Sequence, residues 1–253
     1  MVSLPLWAPA AVLDGIEIRV STREGGVSPS PYDSLNLADH VGDKAESVDE
    51  NRRRLAEALP GHAVCWLNQV HGVSAVEAAP GVVPDADAHW TAARNLPLAV
   101  LTADCLPVVL MARDASCVGI AHAGWRGLAA GVVENGLSTL LEEARSGEDR
   151  VAVIAPHIGA CCYEVDQPVI EALQVRYADG LEDACRPSRP HHVHLDLGQL
   201  VMAILLKAGF RADQIGVVSD SCTSCSGKGF HSFRRDGDGA GRMLHRIVVS
   251  GSG

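Results

Sequence analysis

Two apolar runs, Leu106 to Met111 and Cys117 to Ala121, flank a short polar tip at Arg113 and Asp114. A tip of about five residues between such runs predicts a β-hairpin. Centred between Arg113 and Asp114, this hairpin sets Cys105 opposite His122, and directly opposed residues share a face. Alternation predicts a strand over Ile16 to Ser21. Further apolar runs predict strands over Ala63 to Val70, Leu96 to Leu101, Val151 to Ala155 and Ile215 to Val218. Phe230 to Arg235 and Arg242 to Val249 flank the glycine-rich Asp236 to Gly241 and read as a closing hairpin. Helical spacing predicts a helix up to about Leu59, with Asp43 as N-cap and Glu46 three residues later, stopped by Pro60-Gly61. Others are expected over Leu128 to Arg145, stopped by Ser146-Gly147, from near Asp166 with Pro168 in the first turn, and from Asp196 through Leu206 to a stop at Gly209.

Hairpins, glycine-rich turns and interspersed helices point to an α+β layered domain rather than a regular strand–helix alternation. No tandem repeat or linker divides residues 1–253, which read as a single domain; the loop Asp179 to Pro190 is too short to separate another. Apolar residues at 47% and charged ones at 21% are ordinary for a globular chain. The net charge of −10 argues against broad binding to nucleic acid or an anionic membrane, so a phosphate-bearing ligand needs a local basic pocket. The opening residues lack a basic start followed by a long apolar run, and no stretch reaches the ~20 apolar residues of a membrane span. Eight cysteines without an export signal are then expected as thiols or metal ligands in the cytoplasm.

The candidate chemistry gathers around the hairpin. Zinc bonds sulfur at about 2.3 Å and imidazole nitrogen at about 2.0–2.1 Å, so a facing Cys105 and His122 could share one ion. The alternative is a buried thiol beside a hydrogen-bonded histidine. Asp104 before the thiol and the Gly124-Trp125-Arg126-Gly127 turn after the imidazole favour a site. His71, followed by Gly72 at the end of a predicted strand, can be aimed into a site approached by other strands. Arg23 beside the Gly25-Gly26 turn and Asn36 are the polar groups to watch near the N-terminus; each also reads as a turn or surface residue. Arg234 and Arg235, on a predicted strand, alternate faces, so at most one enters a given pocket. Arginine suits phosphate because its planar fork donates two parallel bonds. The carboxylates of Asp85 and Asp87 lack the spacing of a calcium loop and read as turn and cap chemistry. The adjacent Cys161 and Cys162 read as packing. Cys222-Thr223-Ser224-Cys225 has no second pair at zinc-finger spacing, and His191-His192-Val193-His194 reads as exposed.

Five segments together resemble the YfiH/laccase-domain-containing family: Asn68-Gln69-Val70-His71-Gly72, Leu101-Thr102-Ala103-Asp104-Cys105, Ala121 to Gly127, Cys162-Tyr163-Glu164-Val165, and Ser232 to Gly237. The Thr22 to Gly26 turn and Ser34-Leu35-Asn36-Leu37 are similar to its N-terminal signature, and the resemblance spans about residues 16–249. Members once labelled polyphenol oxidases are now described as purine nucleoside phosphorylases. The resemblance implies a four-layer α/β/β/α sandwich with one zinc held by His71, Cys105 and His122. It further implies phosphorolysis of adenosine, inosine and methylthioadenosine, with adenosine deamination as a second activity. Substrate and phosphate contacts then fall to Arg23, Asn36, Gln69 and Arg234 or Arg235, with Asp104 as proton acceptor or partner of the metal shell. His157, His89 and Cys225 depart from the family pattern. Rival readings are a thiol hydrolase using Cys105 and His122, a copper-dependent phenol oxidase, and a structural-zinc domain completed by Cys222 or Cys225. About one zinc per chain is expected, with Cys105 and His122 on one face and His71 arriving from another strand.

Overall fold

Ile16 and Ile18 turn inward from one strand, as their alternation requires. In the computed structural model, which describes residues 6–7, 13–59, 63–143, 149–218, 222–226 and 229–251, that strand belongs to a four-stranded antiparallel sheet. Its order is β1 (Leu6–Trp7), β2 (Ile16–Ser21), β13 (Met243–Val249), β5 (Leu98–Thr102). A six-stranded sheet runs β12 (Ile215–Val217), β8 (Arg150–Ile154), β6 (Leu106–Ala112), β7 (Val118–Ala123), β4 (Ala88–Thr91), β3 (Ala75–Glu77). Only its outermost pairs, β12–β8 and β3–β4, are parallel. A small sheet of β10 (Cys185–Pro187), β11 (His192–Leu195) and β9 (Glu164–Asp166) completes the set.

Strand β6 is buried at every position because it is covered on both faces. Val109 and Met111 meet Ile18, Leu98, Val100 and Ile247 between the two large sheets. Leu106, Val108 and Leu110 face helices α2 (Trp125–Ala130), α3 (Val132–Glu143), α4 (Gln167–Leu181) and α5 (Leu197–Lys207) through Leu128, Val133, Leu173 and Leu200. On the outer side of the four-stranded sheet, Leu55 of α1 (Ala45–Ala58) packs with Leu35, Leu37, Ala99 and Leu244. The layers are therefore α/β/β/α in an α+β fold, as the resemblance implied.

Five local readings change. The hairpin turns one residue later than expected, pairing Pro107 with His122 and Leu106 with Ala123. Ala115 takes a left-handed conformation there, and the Asp114 side chain accepts the Ser116 N–H, which stabilises the later turn. The helix expected over Leu128 to Arg145 is cut at Gly131, at φ +99°; Arg176 donates to the freed carbonyls of Ala129 and Ala130. Residues 63–70 form no strand and make only two isolated β-bridges, Cys65 to Leu98 and Asn68 to Asp85. The closing hairpin is absent. Ser232 accepts the Arg235 N–H and starts a one-turn helix, α6 (Phe233–Asp236), so Arg234 and Arg235 are helical rather than extended. Asp43 is likewise not a cap. It precedes the N-cap Lys44 and accepts from Ser28 and Asn36 instead. The stops at Pro60-Gly61 and Ser146-Gly147 lie outside the described residues.

His89 and His245 are among the buried histidines whose ring nitrogens lack a full complement of partners. His89 Nε2 and His245 Nδ1 bond nothing, although His245 Nε2 lies 2.9 Å from Thr102 Oγ1. Burial pushes both imidazoles down to about 3, whereas an unfolded histidine titrates near ~6.5. Below ~6.5 the unfolded chain therefore binds protons that the folded chain refuses, and stability falls as pH falls. Each group removes about 2 kcal/mol on going from pH 7 to pH 5. His89→Leu should lessen that loss by about one such share, read as the difference in urea-unfolding free energy at the two pH values. An unchanged pH slope would mean that His89 titrates normally.

Candidate metal centre and cavity

The chain changes sheets between β5 and β6, and residues 103–105 make the crossing. Asp104 takes φ +91° there. Its carboxylate accepts the Thr223 hydroxyl and the Arg234 peptide N–H, both at 2.6 Å. Cys105 follows at the mouth of β6. The observed register differs from the expected one by two residues, and an even offset preserves the face. The thiol and His122 of β7 accordingly still meet.

His71 comes from a turn rather than a strand end, and the turn is wrapped around a carboxylate. Asp87 accepts the peptide N–H groups of Val70, His71 and Gly72 at 3.2, 3.0 and 2.6 Å. It also lies 2.8 Å from His122 Nδ1, and it is wholly buried. That contact leaves His122 Nε2 as the nitrogen facing the cluster. The donor atoms of His71, Cys105 and His122 all fall within 4.8 Å of one another. Cys105 Sγ is 4.0 Å from His71 Nε2, and the two imidazoles meet edge to face at 4.8 Å. A side chain at Gly124 would put its Cβ 3.1 Å from both Cys105 Sγ and His71 Cδ2, so glycine keeps this space clear. Burial opposes charge here, but His122 and His71 draw the Cys105 thiol down to about 6. Burial likewise opposes a charged His122, yet the Cys105 thiolate and Asp87 raise it to about 9. Asp87, despite burial, is held below the usual carboxylate range by His122 and the peptide donors.

The cluster opens onto a cavity of about 640 Å³. Trp66, Trp125, Tyr163 and Phe233 supply aromatic surface, and Arg52, Arg126, Arg234 and Arg242 supply positive charge. Of the residues proposed from sequence, His71, Asp104, Cys105, His122, Gln69 and Arg234 line this space. Gln69 spends its amide on the backbone of Leu101, pinning the His71 turn to β5. Arg234 is stacked over Tyr163 and donates to the carbonyls of Cys162 and Glu164. Arg23 and Arg235 do not line the cavity. Arg23 is paired with Asp33 and Asp236, and Arg235 with Asp236 and the carbonyls of Thr223, Ser224 and Phe230. Asn36 is buried beneath the site, where its side chain accepts the Arg242 N–H and donates to Ala38 and Asp43. His157, also outside the lining, is turned to the Ala155 carbonyl.

Sequence reasoning missed Asp87, Arg126 and Arg242. Asp87 stood in a recognised group of carboxylates, but only the fold shows that its donors come from two other segments. Arg126 lay inside the Gly124–Gly127 turn; its guanidinium stacks 4.2 Å from the centre of the Trp125 ring and makes no ion pair among the described residues.

Residues 17–250 match the family described as multi-copper polyphenol oxidoreductase laccase. The chain is 40% identical over 232 residues to purine nucleoside phosphorylase PA4543 of Pseudomonas aeruginosa, covering 91% of each protein. It is 40% identical to purine nucleoside phosphorylase YfiH of Escherichia coli, covering 92% of this chain and 93% of that one. Among solved structures, Neisseria meningitidis protein NMB0706 superposes with a TM-score of 0.87 at 34% identity, over 97% of this chain and 99% of that one. YlmD from Geobacillus stearothermophilus gives a TM-score of 0.85 at 36% identity, over 94% and 93%. Similarity that runs through both sheets and the cluster between them makes this chain a member of the YfiH family of laccase-domain proteins.

Proposed function

We propose that this protein is a zinc-dependent purine nucleoside phosphorylase acting on adenosine, inosine and methylthioadenosine, with adenosine deamination as a second activity. The observation that carries this reading is the convergence of His71, Cys105 and His122 at one end of a cavity that is both aromatic and cationic. Relatives named purine nucleoside phosphorylase support it over most of the chain.

Two imidazoles and one thiolate suit zinc, and three protein ligands leave a fourth position for water or substrate. The Asp87 bond to His122 Nδ1 fixes the ring for ligation through Nε2. A coupled copper centre needs a multi-histidine cluster, and among the described residues the only histidine-bearing group of metal-ligating side chains is His71, Cys105 and His122. When bound, zinc supplies Lewis acidity and water of lowered pKa at its open position.

The residues of the chain would do the rest. In phosphorolysis a phosphate oxygen bonds to C1′ as the C1′–N9 bond breaks, giving the free base and ribose 1-phosphate. The aromatic walls suit a flat purine. Arg126, Arg234 and Arg242 offer the fixed positive charge that phosphate needs inside a protein of net charge −10. Asp104, engaged by Thr223 and Arg234, fits a positioning role because its bonds hold the crossing that delivers Cys105. The unpaired thiols suit a reducing cytoplasm.

A second reading has one observation in its favour: Cys105, His122 and Asp87 lie in the order of nucleophile, base and orienter. Incubation with a nucleoside panel, with and without phosphate and chelator, separates the two. The phosphorylase reading expects base release only with phosphate, inosine from adenosine without it, and loss of both after chelation. Phosphate-independent base release that survives chelation would overturn it.

Asp87→Asn places an amide N–H among four hydrogen-bond donors and should weaken zinc binding about 10–100-fold, measured by competition with a chromophoric chelator. Unaltered affinity would mean that Asp87 does not orient His122. Arg126→Ala removes the lining guanidinium that has no acidic partner. It should raise the phosphate KM about 10–100-fold while zinc content and adenosine deamination are retained. Equal loss of both activities would assign Arg126 to the nucleoside instead.

A further inference from the structure

We propose that Cys161, Cys162, Cys222 and Cys225 form a second zinc site, a tetrathiolate separate from His71, Cys105 and His122. The sequence pattern gives one pair as packing and the other as a C-x-x-C without a second pair, its Cys222 or Cys225 at most a fourth ligand to a structural zinc at His71, Cys105 and His122. Folding corrects that reading by bringing the two pairs together across sixty residues of chain. All four sulfurs lie within 4.8 Å of one another. A tetrahedral site with Zn–S bonds of about 2.3 Å separates its sulfurs by about 3.8 Å. Cys161 and Cys225 already stand 3.4 Å apart.

Both loops are shaped for convergence. The peptide N–H groups of Cys162 and Tyr163 both donate to the Gly159 carbonyl at 3.0 Å, curling the first pair into a tight turn. The Ser226 N–H donates to the Cys222 carbonyl at 3.0 Å and curls the second. Gly159 lets them touch: a Cβ there would sit 3.3 Å from Cys222 Cβ and 3.4 Å from Cys161 Sγ. Although burial opposes a thiolate at Cys222, the N–H groups of Gly159, Cys225 and Ser224 favour it. Backbone donors of this kind are what a metal-bound sulfur accepts from the turn of a C-x-x-C. Zinc entry displaces four thiol protons and forms four Zn–S bonds without redox change, leaving a net charge of −2. Positive charge is at hand. Arg235 donates to the carbonyls of Thr223 and Ser224, and Arg234 to that of Cys162.

The site would join a loop that lines the cavity through Ile158 and Tyr163 to the loop that restrains Asp104. Thr223, inside the C-x-x-C, holds Asp104 through its hydroxyl and the His157 carbonyl through its N–H. Tyr163, which lines the cavity, directly follows Cys162. A metal here would act as a clamp on Asp104 and not as a reaction centre.

Full-length protein purified under reductant, stripped by chelator and reloaded with zinc or cobalt tests the proposal. Two zinc per chain are expected, with the strong sulfur-to-metal charge transfer of a four-thiolate cobalt site. Cys161→Ser/Cys225→Ser should lose that signal and fall to one zinc. His71→Ala/His122→Ala should keep it, so failure of this site and failure of the proposed active-site metal are distinguishable. Should the cysteine variant not fold, wild-type protein still decides: zinc should protect all four cysteines from alkylation, located by mass spectrometry. A cobalt form without the sulfur-rich bands, equal alkylation of Cys225 with and without zinc, or a Cys161–Cys225 disulfide in the reductant-purified protein would overturn the site.

Discussion

One buried carboxylate holds the candidate centre together. Asp87 has no access to solvent, and an unpaired charge in that position would be strongly destabilising. It is satisfied by three consecutive peptide N–H groups and one imidazole nitrogen. Hydrogen bonds to a charged group contribute about 1.5–3 kcal/mol each, so the turn carrying His71 and the ring of His122 are fixed by the same few atoms. The arrangement also sets the tautomer of His122. A residue that touches no ligand thereby decides which atoms can.

The other half of the centre depends on layering. Strands β5 and β6 are consecutive in the chain but lie in different sheets. The short crossing between them must leave one layer and enter the next within three residues, and Asp104 adopts a left-handed conformation to do so. Backbone of that kind persists only where its surroundings hold it. Here Thr223 and the start of α6 supply the restraint. The thiol, the two imidazoles and the cavity thus occur where the chain passes from one sheet to the other, a position reached by several segments.

Charge is arranged on the same principle. The chain as a whole is acidic, yet its cavity is lined by four arginines. All four have guanidinium groups over aromatic rings that also face the cavity: Arg52 on Trp66, Arg126 on Trp125, Arg234 on Tyr163 and, more distantly, Arg242 on Phe233. Stacking restrains the guanidinium planes while leaving their edges available to an anion. Arg23 and Arg235 show the opposite case, since Asp33 and Asp236 already neutralise them.

Local pattern determined much of this protein. Alternation and apolar runs specified β2, β5, β6, β7, β8 and β12, and cap chemistry specified the start of α5 at Asp196. Those signals are legible because side-chain period and capping act within a few residues. The His71, Cys105 and His122 trio was nameable as well, through motifs that lie on the chain as short words. Tertiary structure decided the rest. It chose Arg126 and Arg242 over Arg23 and Arg235, since whether a guanidinium is free or neutralised depends on partners from other segments. It turned Asp87 from a turn residue into the support of two candidate ligands, because its donors come from two other parts of the chain. It also gathered Cys161, Cys162, Cys222 and Cys225 into one cluster, although no spacing in the sequence marks them as a set. Periodicity reports how a segment meets its own neighbours, whereas a site is defined by distances between segments that only packing brings together.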